Sequence, residues 1–209
     1  MRLVLATANP DKAAELGAIL EEELDDLVEL VARPQGVAAV EETGESLEDN
    51  ARLKAAALVA ATGEAAVADD TGLEVAALGG APGTWSARFA GEAATYADNV
   101  AKLLAVLEGE IDRRARFRTV VVCRFPDGSE IIGEGVVEGE IVPAPRGLGG
   151  FGYDPVFAPA GGGGRTFAEM STAEKHELSH RGLALRCLAT RLKQSEAAVP
   201  TPSPRRPTS

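Results

Sequence analysis

Two stretches of the sequence carry side chains whose types and spacing could do chemistry. The stretch HELSH at 176–180 matches H-E-x-x-H, which on one helix places two histidines on a zinc ion beside a glutamate that acts as a general base. The second stretch is Asp69-Asp70, which follows the apolar run 65–68. Two adjacent buried carboxylates need counter-charges, hydrogen bonds or a bound metal, so this pair predicts chemistry at a hard cation.

The residues around HELSH argue against zinc. A catalytic zinc needs a third protein ligand, but the chain has only two histidines, and the next carboxylate after the motif is Glu196. Ser179 is a typical helix N-cap residue, and a helix that begins there would place His176 and His180 on different elements. We therefore expect that this stretch is not the site of a zinc protease.

The acidic pair is the more specific candidate. Oxygen ligands suit Mg²⁺, and a carboxylate that is free of the metal can serve as a general base. Glu41 and Glu42 lie in a predicted loop over 33–45 and could complete the oxygen shell. An alternative stays open at this point, because Asp-Thr-Gly at 70–72 is also typical of a solvated turn.

Two further loops could bind a ligand. One joins a predicted strand to a predicted helix, where backbone N–H groups and the helix dipole attract phosphate; its residues are Thr7, Ala8, Asn9, Pro10, Asp11 and Lys12. The other, at 147–155, spaces Phe151 and Tyr153 among glycines, so that a ring could stack on a flat ligand while Asp154 accepts hydrogen bonds from it. An ordinary capped helix and a hinge loop with buried aromatics are the respective alternatives.

The elements that must position these side chains indicate an α/β fold with a mixed central sheet flanked by helices. Early β-α units and a later hairpin joined by Pro-Asp-Gly support this class. Ser46 and Ser179 are expected to begin helices. The predicted strands are 2–6, 27–32, 65–68 with extended chain at 73–78, 117–125 and 129–142, and the predicted helices are 13–23, 47–61, 95–107 and one after 179.

Length and composition are those of an ordinary globular domain. The chain has 209 residues, of which 45% are hydrophobic and 25% charged, and we expect one domain over 1–195 followed by a Pro-rich, disordered tail at 196–209. A net charge of −11 disfavours a nucleic-acid partner, and no apolar run reaches the ~18 residues of a membrane span. Isolated Cys123 and Cys187, without a secretory signal, predict a cytoplasmic protein.

Several motifs occur in a fixed order along the chain up to about residue 194. They are T-A-N-P-D-K at 7–12, E-E-T-G at 41–44, E-D-N-A-R-L-K-A at 48–55, A-D-D-T-G-L at 68–73, G-G-A-P-G at 79–83, S-A-R at 86–88, G-G-F-G-Y-D-P at 149–155 and K-x-x-x-S-H-R-G at 175–182. This ordered set resembles the nonstandard purine nucleoside triphosphate pyrophosphatases, also called inosine triphosphatases or XTP/dITP diphosphatases. Thr71 stands where that family usually has serine, and Leu47 where it usually has phenylalanine.

The resemblance implies a fold and an activity. The fold has two lobes around a nucleotide cleft. The activity is Mg²⁺-dependent hydrolysis of ITP, dITP and XTP between the α and β phosphates, which gives the monophosphate and pyrophosphate and keeps these nucleotides out of DNA and RNA. A homodimer is implied as well. The alternatives are a related pyrophosphatase that acts on other modified nucleotides and a nucleotide-binding module without turnover.

The resemblance also implies roles for individual residues. Asp70 is the expected general base and metal contact, Glu41 is the second metal carboxylate, and Asp69 and Glu42 support them. The residues expected to hold phosphates are Asn9, Lys12, Lys54 and Lys175, with the rest of the 7–12 loop around them. The residues expected around the base are Phe151, stacked on the purine; Gly152, Tyr153 and Asp154, which shape the pocket; Thr71, beside Asp70; and His180 and Arg181, which donate to the 6-keto oxygen.

Overall fold

A computed structural model describes residues 1–197 of the chain. The helices in this range are α1 (Pro10–Leu24), α2 (Leu47–Thr62), α3 (Tyr96–Val106), α4 (Thr172–Leu178) and α5 (His180–Ala197). The strands are β1 (Arg2–Leu5), β2 (Glu29–Val31), β3 (Ala65–Val75), β4 (Pro82–Gly83), β5 (Arg114–Arg124), β6 (Glu130–Ile141) and β7 (Phe157–Pro159). No helix within residues 1–197 is both long and apolar enough to cross a membrane.

The strands form one mixed sheet, as the sequence predicts. The strand order is β2-β1-β3-β5-β6-β7, with β4 paired to β3 outside this path. β1 runs parallel to β2 and β3, whereas β5, β6 and β7 add antiparallel neighbours. On one side of β3, β1 pairs only as far as Val67 and β4 begins only at Leu73. The acidic pair therefore lies where this edge of β3, at 69–72, has no strand beside it within the described sheet.

The predicted helix starts are confirmed by side-chain caps. Asn9, Ser46 and Thr95 each accept hydrogen bonds from backbone N–H groups in the first turn of α1, α2 and α3. Ser179 Oγ accepts from the N–H of Gly182 at 3.0 Å, so α5 begins directly after it. The same Ser179 ends α4, which the sequence patterns did not predict.

Helices cover both faces of the sheet. Side chains alternate between faces along a strand, so Leu3, Leu5 and Val67 pack against α1 and α5 on one face. Val4, Ala66 and Ala68 pack against α2 on the other face. A separate apolar cluster, which includes Leu73, Leu103, Phe117, Phe157 and Phe167, fills the far end of the long strands under α3 and β7. The α/β class with a mixed sheet flanked by helices is confirmed.

Glycines on β6 allow α5 to lie close to the sheet. A Cβ added to Gly135 would lie 2.1 Å from the carbonyl oxygen of His180, and one added to Gly133 would lie 2.3 Å from that of Ala184. Any side chain there would push α5 outward. Because His180 and Arg181 open this helix, the two glycines also set the position of the site.

Two predictions differ from the structure in detail. The extended chain on both sides of Asp69-Asp70 is one continuous strand, β3, and the solvated-turn alternative is wrong because both carboxylates are buried. The predicted disordered tail, 196–209, begins within α5, which continues to Ala197, and the rest of that tail lies outside the described residues.

Candidate active site

The open edge of β3 is flanked by the loop between β1 and α1. The N–H of Ala6 donates to the carbonyl of Val67 at 2.8 Å, so this loop begins beside the acidic pair. Asn9 Oδ1 then accepts from the N–H groups of Asp11 and Lys12, at 2.9 and 3.3 Å. Because these two N–H groups are already bonded, a phosphate here would rely on the Lys12 ammonium and the positive end of the α1 dipole.

Asp69 is a buried anion held by two cations. Its Oδ2 lies 3.2 Å from Lys12 Nζ and 3.3 Å from Arg181 Nε. Burial would raise the pKa of Asp69, but the charges of Lys12, Arg181 and Lys54 outweigh burial and hold that pKa well below its ordinary value. Its other oxygen, Oδ1, is buried and has no hydrogen-bond partner among residues 1–197.

Asp70 points to the opposite face of the sheet and has different partners. Lys54 Nζ donates to its Oδ1 at 2.9 Å, and Asn50 Nδ2 donates to its Oδ2 at 3.2 Å. Burial raises the pKa of Asp70 in spite of the opposing charges of Lys54 and Lys12. Of the two carboxylates, Asp69 is fixed as an anion and Asp70 is the better proton acceptor, a separation typical of acid–base sites.

The loop before α2 brings Glu42 to Asp70. Glu42 Oε1 accepts from Lys54 Nζ at 3.0 Å, so one ammonium bridges both carboxylates. Burial lowers the pKa of Lys54, but Asp70, Asp69 and Glu42 more than compensate and raise it overall. Glu41 is exposed and lines neither of the cavities described below. Glu42, and not Glu41, is therefore the acidic-loop carboxylate that lies next to Asp70.

A second buried ion network lies beneath Phe151. Lys175 Nζ lies 2.5 Å from Glu15 Oε1 and 2.8 Å from Asp154 Oδ2, and Arg181 pairs with Glu15 on its other side. Burial raises the pKa of Asp154 in spite of Lys175. Burial would also raise the pKa of Glu15, but the charges of Arg181 and Lys175 outweigh burial and lower the pKa of Glu15. Lys175, which the resemblance placed among the phosphate-binding residues, lines neither cavity and instead contacts the ring of Phe151.

Phe151 forms an aromatic platform on these cations. Lys175 Nζ lies 4.6 Å and Arg181 Cζ 5.4 Å from the ring centroid. The N–H of Phe151 donates to Asp154 Oδ2 at 2.8 Å, which fixes the loop. Gly150 has a φ of 69°, and a Cβ there would lie 2.1 Å from the same Asp154 oxygen, so the sharp turn before the ring requires glycine.

The two histidines of HELSH lie on different elements, as predicted. His176 lies on α4 and His180 opens α5. His180 is stacked on Phe117 with ring centroids 4.4 Å apart. Burial and the charges of Arg181 and Lys175 lower the pKa of His180 well below its ordinary value, so its ring is neutral at pH 7. Within the described chain, no three His, Cys, Asp or Glu side chains group to hold a metal ion.

Two adjoining cavities open at this edge of the sheet. The first, about 120 Å³, is lined by the aromatic loop and the start of α5: among others Phe151, Gly152, Tyr153, Asp154, His180, Arg181, Asp70 and Thr71. The second, about 260 Å³, is rich in cations and lies nearer β1: its lining includes Thr7, Ala8, Arg33, Lys54 and Asp69. Asn9, Lys12 and Glu42 line both. Pro10 and Asp11 line neither.

Several site residues were missed by the sequence patterns. Tyr96 is the first residue of α3; its hydroxyl accepts from Asn9 Nδ2 at 2.8 Å and its ring centroid lies 5.9 Å from that of Phe151. Glu15 on α1 and Thr119 on β5 contact Arg181 and His180. Nothing in their local sequence marks them, because only the packing of distant segments gives them these partners. Asn50 had a signal, since it lies within E-D-N-A-R-L-K-A.

The carboxylates at this site fit a hard divalent cation. Asp70 and Glu42 already share one positive centre, the Lys54 ammonium, and their oxygens are the ligand type that Mg²⁺ selects. Mg²⁺ is commonly held by one or two carboxylates together with substrate phosphates, so a pair of carboxylates beside a cation-lined cavity is sufficient. The residues present therefore fit a magnesium ion.

The fold and the site together define an α/β protein with a cleft in which an aromatic ring lies beside a cation-lined cavity. Asp70, whose pKa burial raises, lines the first cavity beside Phe151, and Lys54, which donates to Asp70, lines the cation-lined second cavity. Comparison with known sequences gives the family. A family model described as the Ham1 family matches residues 3–191, and the chain belongs to this family.

Individual relatives agree with this assignment. A protein of Syntrophobacter fumaroxidans named dITP/XTP pyrophosphatase is 50% identical over 88% of this chain and 78% of its own length. One of the same name from Corynebacterium glutamicum is 46% identical over 95% of this chain and 100% of its own length. A solved HAM1 protein from Coxiella burnetii superimposes with a TM-score of 0.84 at 40% identity, covering 93% of this chain and 99% of that one.

Proposed function

We propose that this protein hydrolyses nonstandard purine nucleoside triphosphates, namely ITP, dITP and XTP, to the monophosphate and pyrophosphate. The observation that carries the proposal is the position of Asp70: this carboxylate, whose pKa burial raises, lines the cavity that holds Phe151 and accepts a hydrogen bond from Lys54, which lines the cation-lined cavity. A nucleotide whose base lies on Phe151 would extend its phosphates toward Lys12 and Lys54. The names of the relatives support the same substrate class.

The chemistry follows from the charges around Asp70. Asp70 accepts a proton from the water that cleaves the bond between the α and β phosphates, and releases this proton to solvent afterwards. Lys12 and Lys54 balance the negative charge that develops on the departing pyrophosphate. Asp69 stays ionised throughout and holds Lys12 and Arg181 in place.

Mg²⁺ is the proposed cofactor. Asp70 and Glu42 would hold it together with phosphate oxygens, and Glu41, which is exposed, would not. When bound, the ion neutralises phosphate charge and orients the anhydride. The support for Mg²⁺ is the oxygen-only donor set beside a cation-lined cavity.

Selection among purine bases is assigned to residues at the start of α5. Arg181 lines the first cavity, and beyond its bonds to Asp69, Glu15 and Thr71 its guanidinium keeps further N–H groups. These can donate to the 6-keto oxygen of hypoxanthine or xanthine. Adenine carries an amino group at this position, and a buried donor left without an acceptor costs about 1–3 kcal/mol.

A pyrophosphate-release assay with ITP, XTP, GTP and ATP, each with Mg²⁺ and with chelator, tests the proposal. We expect turnover of ITP and XTP that needs Mg²⁺, and much slower turnover of ATP. Equal turnover of ATP and ITP would contradict the substrate class. Binding of ITP without pyrophosphate release would favour a nucleotide-binding module, and faster turnover of modified pyrimidine triphosphates would favour the related pyrophosphatases.

We also propose a cytoplasmic homodimer with no nucleic-acid partner, whose single domain covers residues 1–195. Family membership supports the dimer, and the net charge of −11 argues against a polyanionic partner. Both cysteines are free, and burial raises the pKa of the Cys123 thiol to about 12, so this thiol is unreactive, as suits a reducing compartment. Sedimentation at several protein concentrations would test the dimer.

A further inference from the structure

A chain of hydroxyl groups connects His180 to Asp69. His180 Nδ1 lies 2.6 Å from Thr119 Oγ1, and Thr119 Oγ1 lies 2.8 Å from Thr71 Oγ1. Thr71 Oγ1 in turn lies 3.3 Å from Asp69 Oδ2 and 3.3 Å from Arg181 Nη2. The chain crosses from β3 to β5 to α5, because Thr71 and Thr119 are directly paired in the sheet.

Counting hydrogens fixes the direction of every bond in this chain. Asp69 is an anion between Lys12 and Arg181 and can only accept, so Thr71 gives it its single hydroxyl hydrogen. Thr71 must then accept from Thr119, as it does from Arg181. Thr119 has no second hydrogen for His180, so His180 Nδ1 must carry a hydrogen and donate it. If His180 accepted from Thr119 and Thr119 accepted from Thr71, Thr71 would have no hydrogen left for Asp69, and the contact between Thr71 and Asp69 would not be a hydrogen bond.

The second ring nitrogen of His180 is therefore an acceptor. A neutral imidazole with a hydrogen on Nδ1 has a lone pair on Nε2. The ring is buried, stacked on Phe117 and flanked by the cations Arg181 and Lys175, so a second proton is disfavoured. Nε2 has no hydrogen-bond partner in the described part of the chain, and His180 lines the first cavity.

We propose that Thr71 and Thr119 hold His180 in the Nδ1–H form, so that Nε2 accepts a hydrogen bond from the ring N1–H of a 6-oxopurine. The proposal rests on the proposed function and reverses the donor role expected for His180. An acceptor on His180 beside a donor on Arg181 matches the N1–H and 6-keto edge of hypoxanthine, xanthine and guanine. Adenine presents the opposite pattern, with an acceptor at N1 and an amino donor at C6, so both contacts fail together. Thr119 is thus a positioning residue for base selection.

Nitrogen-15 NMR of the ligand-free protein tests the tautomer without any assay of activity. The chain has only two histidines, and a His176→Gln variant assigns the signals of His180. We expect a protonated Nδ1 and an unprotonated Nε2 at pH 7. A protonated Nε2, alone or in an imidazolium ion, would overturn the proposal. In Thr119→Val, signals of the Nε2–H form of His180 should appear beside those of the Nδ1–H form. Thr119→Ser keeps a hydroxyl at this position and should show only the Nδ1–H form. A Thr119→Val spectrum identical to that of the unchanged protein would contradict the role of Thr119.

Two triphosphates that differ at N1 test recognition. 6-Thioinosine triphosphate keeps the N1–H and has a sulfur acceptor at C6, whereas in purine riboside triphosphate N1 is a bare acceptor and C6 carries only hydrogen, so this nucleotide also loses the contact with Arg181. We expect kcat/KM to be at least roughly 5-fold lower for the second, since at least one bond is lost, and the part of this ratio that comes from N1 should disappear in Thr119→Val. Equal kcat/KM for the two would overturn the proposal. If ITP itself is not hydrolysed, the proposed function fails, while the NMR result still decides the tautomer.

Discussion

Lys54 Nζ lies 2.9 Å from Asp70 Oδ1 and holds this carboxylate against α2. The same ammonium bonds Glu42, so Lys54 joins the proposed base to the acidic loop. Burial raises the pKa of Asp70 above its ordinary value, although the positive charge of Lys54 lowers it. Asp70 is therefore a stronger proton acceptor than an ordinary exposed carboxylate.

Replacing Asp70 with asparagine should abolish proton acceptance and leave the fold intact. The amide has the same shape, and its oxygen can still accept from Lys54, but its NH2 group then faces the Nδ2 donor of Asn50, and it is not a base. We expect kcat for ITP to fall by about 10²–10⁴-fold, the usual contribution of a general base. Pyrophosphate release measures the rate, and retained binding of inosine monophosphate serves as the control. A variant with the full rate would rule out Asp70 as the base.

The acid limb of the pH–rate profile should report Asp70. Its folded-state pKa lies above the ordinary 3.8, and only the ionised form accepts a proton, so kcat/KM should fall as the pH drops through this raised value. The nearby charge of Glu42 contributes to the elevation. In Glu42→Gln the midpoint should therefore move to lower pH. A profile that stays flat down to pH 4 would show that Asp70 does not titrate as described.

Glu42 and Glu41 should differ in their effect on the magnesium requirement. Glu42 shares the Lys54 ammonium with Asp70, whereas Glu41 is exposed. We expect Glu42→Gln to raise the Mg²⁺ concentration for half-maximal rate about 10-fold or more, the usual effect of altering a site's ligand environment. The matched Glu41→Gln variant should change it by less than about 2-fold. The reverse ranking would restore the residue that the resemblance implied.

Glu15 should matter for stability more than any surface carboxylate. It lies between the buried cations Lys175 and Arg181, and Glu15→Gln would leave them with one anion fewer. Breaking a buried pair costs about 3–5 kcal/mol, which urea unfolding can measure. Glu92→Gln, on a side chain that is 77% exposed, is the matched control and should change the free energy of unfolding by less than about 0.5 kcal/mol. Equal effects would mean that the network is not needed.

Phe151 should contribute to affinity through its ring. Stacking of a base on an aromatic side chain is worth about 1–3 kcal/mol. Phe151→Leu keeps apolar volume but removes the ring, and we expect the Kd for inosine monophosphate, measured by calorimetry, to rise roughly 5- to 150-fold. Phe151→Trp should keep tight binding. If leucine and tryptophan bind equally well, the base does not stack here.

Much of the fold followed from local chemistry in the sequence. Asn9, Ser46, Thr95 and Ser179 begin helices because their side chains bond the free N–H groups of a first turn, and this depends only on neighbouring residues. The hairpin of β5 and β6 followed in the same way from two β-rich runs around Pro-Asp-Gly. The ordered motifs identified most of the residues that line the cavities. A motif is recognised from the order of its residues along the chain, and this does not require knowing how the residues pack.

The sequence by itself thus determined the α/β class, the helix starts and the motif residues that line the cleft. Only the tertiary structure decided what each charged group does. Asp69 and Asp70 are adjacent and identical in type, but alternation along β3 places them on opposite faces, where Asp69 lies between two cations and burial raises the pKa of Asp70. Partners such as Glu15 and Thr119 come from distant segments, and the effect of burial on a charge depends on those partners.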